Sequence, residues 1–407
     1  MVECLFFAFL LADAILDAML QIEKTFSNER IRFMNTKTLS TRSEWRFDKN
    51  LPHPNGIHVI GLDMGYSSPK CVFEHGNLVF PNFCKKVTGE LFGELSRNTI
   101  LYENEAGERY YVGEAAQKTL SEDSVVSEES LFGRNHYLHP EFRIVYETAL
   151  GLSLWNVKTN GSDLFLQTGL PPAYKEKDEP YLRQALSGRH VFSLTIENVT
   201  KSFDITLSHD QIDIMAQPMG TLNSILFNDD GSFSNLAPSI MRSDLMIFDC
   251  GFKTLDTFFI HANELCDQTT NPNLGMYRVL DETRKMIQKE YGLSVSMPAM
   301  QKVLRTGKID VNDLLTLTTR SYPIESFVEK ASNVVCAEAI EAIKDHIFEI
   351  KYLILTGGTS ELWYDAFSKR LSTVPMTILR GRENSSLPTF YANARGYYMS
   401  RVKKLSR

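Results

Sequence analysis

The sequence contains none of the short motifs that mark several common classes of enzyme. It has no GxxxxGK[ST] phosphate loop, no HExxH metalloprotease motif and no GxSxG nucleophile turn. Its six cysteines include no CxxC pair, so neither a zinc site of the usual spacing nor a disulfide framework is indicated. These absences disfavour three enzyme classes and favour a cytoplasmic protein with reduced thiols.

Long apolar and long basic stretches are also missing. The apolar run CLFFAFLLA at residues 4–12 is too short to span a bilayer, and Asp13 and Asp17 follow it. The sequence has neither the basic region of a secretory signal nor a long Lys/Arg cluster, and its net charge is -7. We therefore expect no direct binding of nucleic acid and no attachment to a membrane.

The N-terminal region has the composition of an extension rather than of a domain. Residues 23–50 are polar, mixed in charge and poor in apolar pattern, as linkers are. We predict an N-terminal extension and linker over residues 1–55, with the folded part beginning near Gly56. We also expect residues 1–33 to be dispensable and the working protein to start at Met34, which N-terminal sequencing would test.

One structural pattern occurs twice in the remaining chain. IHVIGLDMGY at residues 57–66 and DLMIFDCG at residues 244–251 each read as a buried strand that ends in an acidic residue and a glycine turn. Further strands and then helices follow each copy. This duplication of layout implies two mixed α/β domains that face each other across a cleft, which suits a chain of 407 residues.

The first turn carries groups that can bind phosphate. Gly65 allows the backbone to approach an anion closely, and the hydroxyl groups of Ser67 and Ser68 can donate to phosphate oxygens. Lys70 adds a positive charge, and Asp63 ends the preceding strand. A plain β-hairpin with a surface lysine would explain the same residues.

The second turn repeats this chemistry as DxGxxTxD. Gly251 opens the backbone, Thr254 offers a hydroxyl, and Asp249 ends the strand. Two such loops can hold a polyphosphate between them, but Asp63 and Asp249 would repel it unless a cation lies between. Mg²⁺ suits this position because it keeps most of its waters and takes few protein ligands. Either aspartate alone could be an ordinary turn residue.

A third turn follows the strand YLIL. Gly357 and Gly358 permit close approach of a flat ring or a ribose, and Thr359 follows them. A plain tight turn would account for these residues equally well, so this motif is weak by itself.

In this order, the three turns resemble the two phosphate loops and the adenosine loop of the actin, sugar kinase and seventy-kilodalton heat-shock chaperone superfamily. The resemblance spans about residues 56–400. The DxGYSxxK form of the first turn and TGLP at residues 168–171 are most similar to bacterial and archaeal actin-like proteins of the ParM type. The resemblance implies an α/β actin-like ATPase fold with two facing mixed-sheet lobes and a nucleotide cleft. The implied segments are lobe I at 56–243 with an insertion at about 84–138, lobe II at 244–387 with an insertion at about 269–330, and a C-terminal helix at 388–407 that returns to lobe I.

The resemblance also implies a role for each site residue. Asp63 and Asp249 would hold Mg²⁺ mostly through water, and Gln217 would orient the attacking water because it matches the water-positioning residue of relatives. Lys253 stands where a smaller residue is commoner. The residues implied to bind the nucleotide are Gly65, Tyr66, Ser67, Ser68, Lys70, Gly251, Lys253, Thr254, Asp281, Arg284, Lys285, Gly357, Gly358 and Thr359.

The function implied is Mg²⁺-dependent binding and hydrolysis of ATP, coupled to head-to-tail assembly of a filament. In ParM-type proteins the filament moves plasmids through a DNA-binding adaptor protein, and the acidic net charge of -7 suits such an indirect link. Two alternatives remain open. A small-molecule kinase of the same superfamily would need a catalytic Asp in lobe I, and a membrane-linked cytoskeletal adaptor would need a lipid-binding helix at residues 4–20 or in the basic C-terminal tail.

Overall fold

The computed structural model describes residues 35–89, 95–96, 98–119, 133, 136–262, 264–313 and 315–406. Residues Thr36–Arg407 form one compact unit. The apolar run at residues 4–12 and the proposed start at Met34 lie outside the described residues, and those two predictions are not tested. None of the helices in the described ranges combines the length and the apolar character that a bilayer crossing needs.

Helices separate single strands or runs of up to seven strands along the described residues. The strands are β1 Glu44–Arg46, β2 His58–Met64, β3 Pro69–Phe73, β4 Gly76–Val79, β5 Cys84–Lys86, β6 Ile100–Asn104, β7 Arg109–Val112, β8 Leu164–Leu170, β9 Gly188–Ile196, β10 Val199–Leu207, β11 Ile212–Ala216, β12 Leu245–Cys250, β13 Leu255–His261, β14 Glu264–Asn271, β15 Lys308–Asp313, β16 Thr318–Pro323, β17 Tyr352–Thr356 and β18 Thr377–Arg380. The helices are α1 Glu114–Lys118, α2 Pro140–Ser153, α3 Pro172–Leu186, α4 Gln217–Leu226, α5 Ala237–Ile240, α6 Met276–Tyr291, α7 Met297–Val303, α8 Glu325–Glu341, α9 Ser360–Arg370 and α10 Ala392–Leu405. Short 3-10 turns occupy Thr36–Leu39, His136–Leu138, His209–Gln211 and Thr389–Tyr391.

The central sheets of the two lobes share the topology of five strands, and β1 adds a sixth strand to the first sheet. The strand order is β1-β4-β3-β2-β8-β11 in one sheet and β14-β13-β12-β17-β18 in the other. In the first sheet β2 pairs with β3 antiparallel and with β8 parallel. In the second, β12 pairs with β13 antiparallel and with β17 parallel. The repeated strand-and-turn layout therefore reflects two equivalent mixed sheets, and the predicted fold class is confirmed.

Each lobe carries a further sheet. In lobe I the order is β10-β9-β6-β7-β5, and in lobe II the strands β15 and β16 form an antiparallel hairpin. The sequence predicts a helical and turn-rich insertion at residues 297–330. The structure has one short helix there, α7, followed by the hairpin. The strand signal is weak because only Ile309 and Val311 alternate with polar residues in β15, and β16 is polar at most positions.

Strand β2 is buried on both faces, which explains its continuous apolar sequence. Ile60 and Leu62 belong to the core that also contains residues of α2. Val59 belongs to the core that contains residues of α10. At Gly61 a side chain is excluded, because a Cβ atom there would lie 2.1 Å from the carbonyl oxygen of Ala394 in α10. The C-terminal helix thus packs directly on the sheet of lobe I, while the predicted lobe boundaries stay a prediction.

Helix α4 connects the two lobes and crosses α10 at very short range. A Cβ atom at Gly396 would lie 1.6 Å from the carbonyl oxygen of Gly220, so both positions need glycine for the backbones to touch. Ile225 of α4 packs with Ile247 and Phe258 of the lobe II sheet. The crossing therefore holds the first turns of α4 and α10 at the junction between the lobes.

The folded body begins before Gly56, where the sequence analysis places its start. Residues Thr36–Leu39 form a 3-10 turn, and β1 pairs antiparallel with β4, with Glu44 opposite Val79. The prediction of a linker over residues 23–50 is thus wrong for residues 36–46. Strand β1 has only three residues, which is too short for an alternating pattern to be recognised.

Candidate functional site

A cavity of about 590 Å³ lies between the three turns identified in the sequence. Its walls come from both lobes, since the first turn follows β2 and the second and third follow β12 and β17. The predicted site residues that line it are Asp63, Gly65, Tyr66, Ser67, Ser68, Lys70, Gln217, Asp249, Gly251, Lys253, Thr254, Gly357, Gly358 and Thr359. The fold thus brings together residues that are far apart in the chain.

On the lobe I side, a buried ion pair occupies the cavity wall. Asp63 and Lys70 stand opposite each other in the β2–β3 ladder. The ammonium nitrogen of Lys70 lies 3.3 Å from an oxygen of Asp63, and the side chains of Lys70 and Asp63 are only 13% and 8% exposed. The lysine is therefore held at the mouth of the first turn, where its charge also faces the cavity.

On the lobe II side, Asp249 is buried at the end of β12. The side-chain amide of Asn393 in α10 donates a hydrogen bond of 2.6 Å to its carboxylate. Burial raises the pKa of Asp249 to about 6, the charge of Asp63 adds to this rise, and the hydrogen bond from Asn393 opposes it. The C-terminal helix therefore holds the orientation of a cleft carboxylate.

A third carboxylate, which the sequence analysis did not select, lies beside these two. Asp256 accepts hydrogen bonds from the hydroxyl groups of Thr254, at 3.0 Å, and Thr270, at 2.6 Å. Burial and then the charge of Asp249 raise its pKa to about 7. Asp256 also lines the cavity. Three carboxyl groups thus share this region, and a cation or a proton there would lower their mutual repulsion.

Close contacts require glycine at Gly357 and leave more room at the other glycines of the turns. A Cβ atom at Gly65 would lie 3.0 Å from the carbonyl oxygen of Ser68 and 2.6 Å from the Lys70 nitrogen, which is the end of a flexible side chain. Gly357 has a φ angle of +84°, and a Cβ atom there would lie 2.3 Å from the carbonyl oxygen of Cys250. At Gly358 the nearest atom to such a Cβ is in Phe390, at 4.0 Å, so open space remains beside an aromatic residue. This space suits a flat ring.

The second and third turns are bonded to each other. The hydroxyl of Thr359 donates to the carbonyl oxygen of Gly251 at 2.8 Å, and its backbone N–H donates to that of Cys250 at 3.1 Å. The two loops of lobe II therefore form one rigid wall. Thr359 is used for this internal contact in addition to facing the cavity.

Lys253 bridges the two lobes. Its ammonium nitrogen lies 5.7 Å from the ring centres of Tyr66, in the first turn, and Tyr277, in α6. Tyr66 packs in turn on His136, with ring centres 4.9 Å apart. Gln217, at the first residue of α4, is half-buried and lines the same cavity.

Three predicted residues lie elsewhere. Asp281, Arg284 and Lys285 are on α6 but do not line the cavity. The Lys285 nitrogen lies 2.9 Å from an Asp281 oxygen, and the Arg284 guanidinium lies 3.8 Å from the same carboxylate. Contact of these residues with a ribose or a base stays a prediction.

Asp63 and Asp249 line the cavity from the two lobes, and their carboxylates are groups that can take part in holding a divalent cation. Among the described residues, no group of three or more His, Cys, Asp or Glu side chains could hold a metal ion by itself. Mg²⁺ is commonly bound through one or two carboxylates, several waters and the oxygens of a phosphate ligand. The donor set of the cavity fits that mode of binding.

Comparisons with known proteins agree with this architecture. Residues 61–220 match the family model described as actin like proteins N terminal domain. A search of curated proteins finds no match.

Solved structures of similar fold cover most of the chain. A ParM from Clostridium botulinum, solved as a 15-stranded filament, has a TM-score of 0.66 at 17% identity, over 86% of this chain and 99% of that one. The non-polymerisable quadruple mutant of pCBH ParM has a TM-score of 0.66 at 19% identity, over 85% and 99%. An archaeal actin homolog in complex with ADP has a TM-score of 0.56 at 17% identity, over 86% and 100%. The resemblance carried by the three turns is thereby confirmed: the chain has the fold of ParM and other bacterial and archaeal actin homologues.

Proposed function

We propose that the protein binds and hydrolyses ATP with Mg²⁺ in this cleft and assembles head to tail into filaments in the cytoplasm. One observation carries the proposal: three glycine turns from two lobes line a single cavity whose walls hold Asp63 and Asp249. The cavity volume of about 590 Å³ lies in the range of small-molecule and cofactor sites. The archaeal actin homolog of the same fold is a complex with ADP.

The phosphate groups would lie between the first two turns. Backbone N–H groups beside Gly65 and Gly251 would donate to phosphate oxygens, since the absence of side chains leaves the backbone accessible. Lys70 from lobe I and Lys253 from lobe II would neutralise the negative charge of the phosphate groups. Mg²⁺, held largely through water by Asp63 and Asp249, would supply further charge neutralisation. Ser67, Ser68 and Thr254 would complete the cradle.

Hydrolysis would depend on positioning rather than on a strong base. Gln217 cannot take up a proton at neutral pH, but its amide can accept a hydrogen bond from a water and orient it. Its place at the start of α4, beside the α4–α10 crossing, links it to both lobes. The adenosine would lie beside Gly357 and Gly358, where open space faces Phe390.

Assembly would use the closed form of the two lobes. A head-to-tail contact that does not close on itself gives an open polymer. Of two proteins with the same fold, one was solved as a filament and the other is a mutant described as non-polymerisable. We further propose that cargo, such as a plasmid, is joined through a separate DNA-binding adaptor, because a net charge of -7 gives no general attraction to phosphate backbones.

The test compares Gln217→Ala with the wild type in ATP turnover and in nucleotide-dependent sedimentation. We expect turnover to fall about 100-fold, in the range that a positioning residue contributes, while binding of ATP is retained and polymer persists longer. Asp345→Asn, at an exposed position outside the cavity, is the control and should behave as wild type. Unchanged turnover in the Gln217 variant, or absence of turnover and polymer in the wild type, would contradict the proposal.

One observation favours a second candidate, the small-molecule kinase. Asp178 of α3, in lobe I, is only 4% exposed and lines the cavity together with Tyr174 and Leu182. A carboxylate in that lobe is what the kinase alternative requires. Release of ADP that depends on an added polyol or sugar, and that is lost in Asp178→Asn, would favour this alternative over the filament.

A further inference from the structure

A short segment before β1 lines the cavity and contacts both lobes. Residues 36–43, which we call the strap, precede β1 of the lobe I sheet. Residues 37–42 line the cavity, together with Gln117 from lobe I and Leu304 from lobe II. The strap is therefore part of the wall of the candidate nucleotide site and not a solvated tail.

Both ends of the strap are buried. Thr36 and Ser43 are each 2% exposed. The Ser43 hydroxyl accepts a hydrogen bond of 3.1 Å from the backbone N–H of Glu114 in α1. Thr36 packs against Gly307 of lobe II, because a Cβ atom added at Gly307 would lie 3.3 Å from the Thr36 hydroxyl oxygen. One end of the strap thus contacts lobe I and the other contacts lobe II.

Arg305 of lobe II joins the strap and lobe I at a single point. Its guanidinium donates to the carbonyl oxygen of Thr41 at 3.0 Å and also donates to the side-chain oxygen of Gln117. It lies 3.1 Å from a carboxylate oxygen of Glu114, and both side chains of this pair are 13% exposed. A forked, partly buried guanidinium of this kind loses several directed hydrogen bonds at once if the lobes separate.

A second polar contact spans the lobes at the same place. The amide of Gln117 in α1 donates to the side chain of Gln301 in α7 at 3.5 Å. Opening of the cleft at this edge would therefore break the Arg305 contacts, the Gln117–Gln301 contact and the packing of Thr36 together.

The strap lies outside the part of the chain that the family model matches. That match begins at residue 61.

We propose that the strap is a latch that ties the two lobes across the mouth of the cleft and slows release of bound nucleotide. This inference rests on the proposed function, because it takes the cavity as the nucleotide site. Release of a nucleotide requires the cleft to open, so the contacts of Arg305 would set part of the barrier to opening.

The test measures how fast bound N-methylanthraniloyl-ADP leaves full-length protein when excess unlabelled ADP and Mg²⁺ are added. We expect Arg305→Ala to release it about tenfold faster, which corresponds to about 1.4 kcal/mol. Arg320→Ala, on the exposed strand β16, is the matched control and should release at the wild-type rate. Thr36→Arg would displace the strap from Gly307 and serves as a second variant, should Arg305→Ala fail to fold.

A second assay needs no nucleotide. Lys37 and Arg42 are exposed trypsin sites within the strap, and Arg305→Ala should be cut there faster than the wild type. Unchanged release of the labelled ADP from both Arg305→Ala and Thr36→Arg would overturn the latch. Failure of the wild type to bind the labelled ADP would refute the proposed function instead, and trypsin cleavage would still show whether Arg305 holds the strap.

Discussion

Replacement of Asp249 by asparagine should stabilise the ligand-free protein while removing its function. The pKa of this buried carboxyl rises from 3.8 to about 6 on folding. A carboxyl with a raised pKa favours the native state at low pH, and that advantage is lost as the pH rises from about 4 to about 6. Above pH 6 the charged carboxylate therefore costs the native state about 3 kcal/mol, taking about 1.4 kcal/mol for each tenfold change in proton affinity.

The amide introduced by Asp249→Asn would remove this charge, and its oxygen could still accept the hydrogen bond from Asn393 that Asp249 accepts at 2.6 Å. We expect Asp249→Asn to raise the free energy of unfolding by up to about 3 kcal/mol at pH 7.5 and by little at pH 4. Urea denaturation of nucleotide-free protein across this pH range measures the difference, with the exposed Asp345→Asn as control.

An Asp249→Asn variant that is less stable than the wild type at pH 7.5 would contradict a charge penalty at this site. A gain in stability that does not shrink on acidification would contradict it equally. Addition of Mg²⁺ and ATP should reverse the order, because ligand binding stabilises only a protein that can bind it.

Two further predictions concern backbone geometry. Gly396→Ala should lower the free energy of unfolding, measured by thermal denaturation, by about 3 kcal/mol or more, because its Cβ atom would lie 1.6 Å from the Gly220 oxygen. Gly89→Ala is the control, since no atom lies within 4 Å of a Cβ atom there. Equal unfolding temperatures of the two variants would contradict the close packing of α4 on α10. Leu317→Asn should raise stability by about 0.5 kcal/mol, because residue 317 has a φ of +52° and its side chain is 88% exposed. Leu315→Asn, at another exposed position, is the control and should leave the free energy of unfolding unchanged. A destabilised Leu317→Asn variant would contradict the prediction that backbone strain at residue 317 outweighs the contacts of its side chain.

Much of the fold was predictable because its signals are local. Each of Asp63 and Asp249 follows a run of apolar residues in a strand that is buried on both faces, so strand and turn are both visible in the sequence. Asp256 was equally accessible to such reasoning. It ends the DxGxxTxD motif two residues after Thr254, and the two side chains are hydrogen-bonded at 3.0 Å in the structure.

Other parts of the site depend on contacts between distant residues. Asn393 reaches Asp249 across 144 positions of the chain, and only the packing of α10 places it there. Apart from Leu39, the strap consists of polar residues without a period. Its position follows from Arg305, which is 264 positions from Thr41. Neither contact leaves a pattern in the sequence.

Since the turns of the two lobes line one cavity, we expect them to bind one nucleotide between them. A crystal structure of the protein with Mg²⁺ and a non-hydrolysable ATP analogue would test this. We expect phosphate groups between residues 65–68 and 251–254, a cation beside Asp63 and Asp249, and the base next to Gly358. An analogue bound elsewhere, or a cavity that stays empty at saturating analogue, would contradict it.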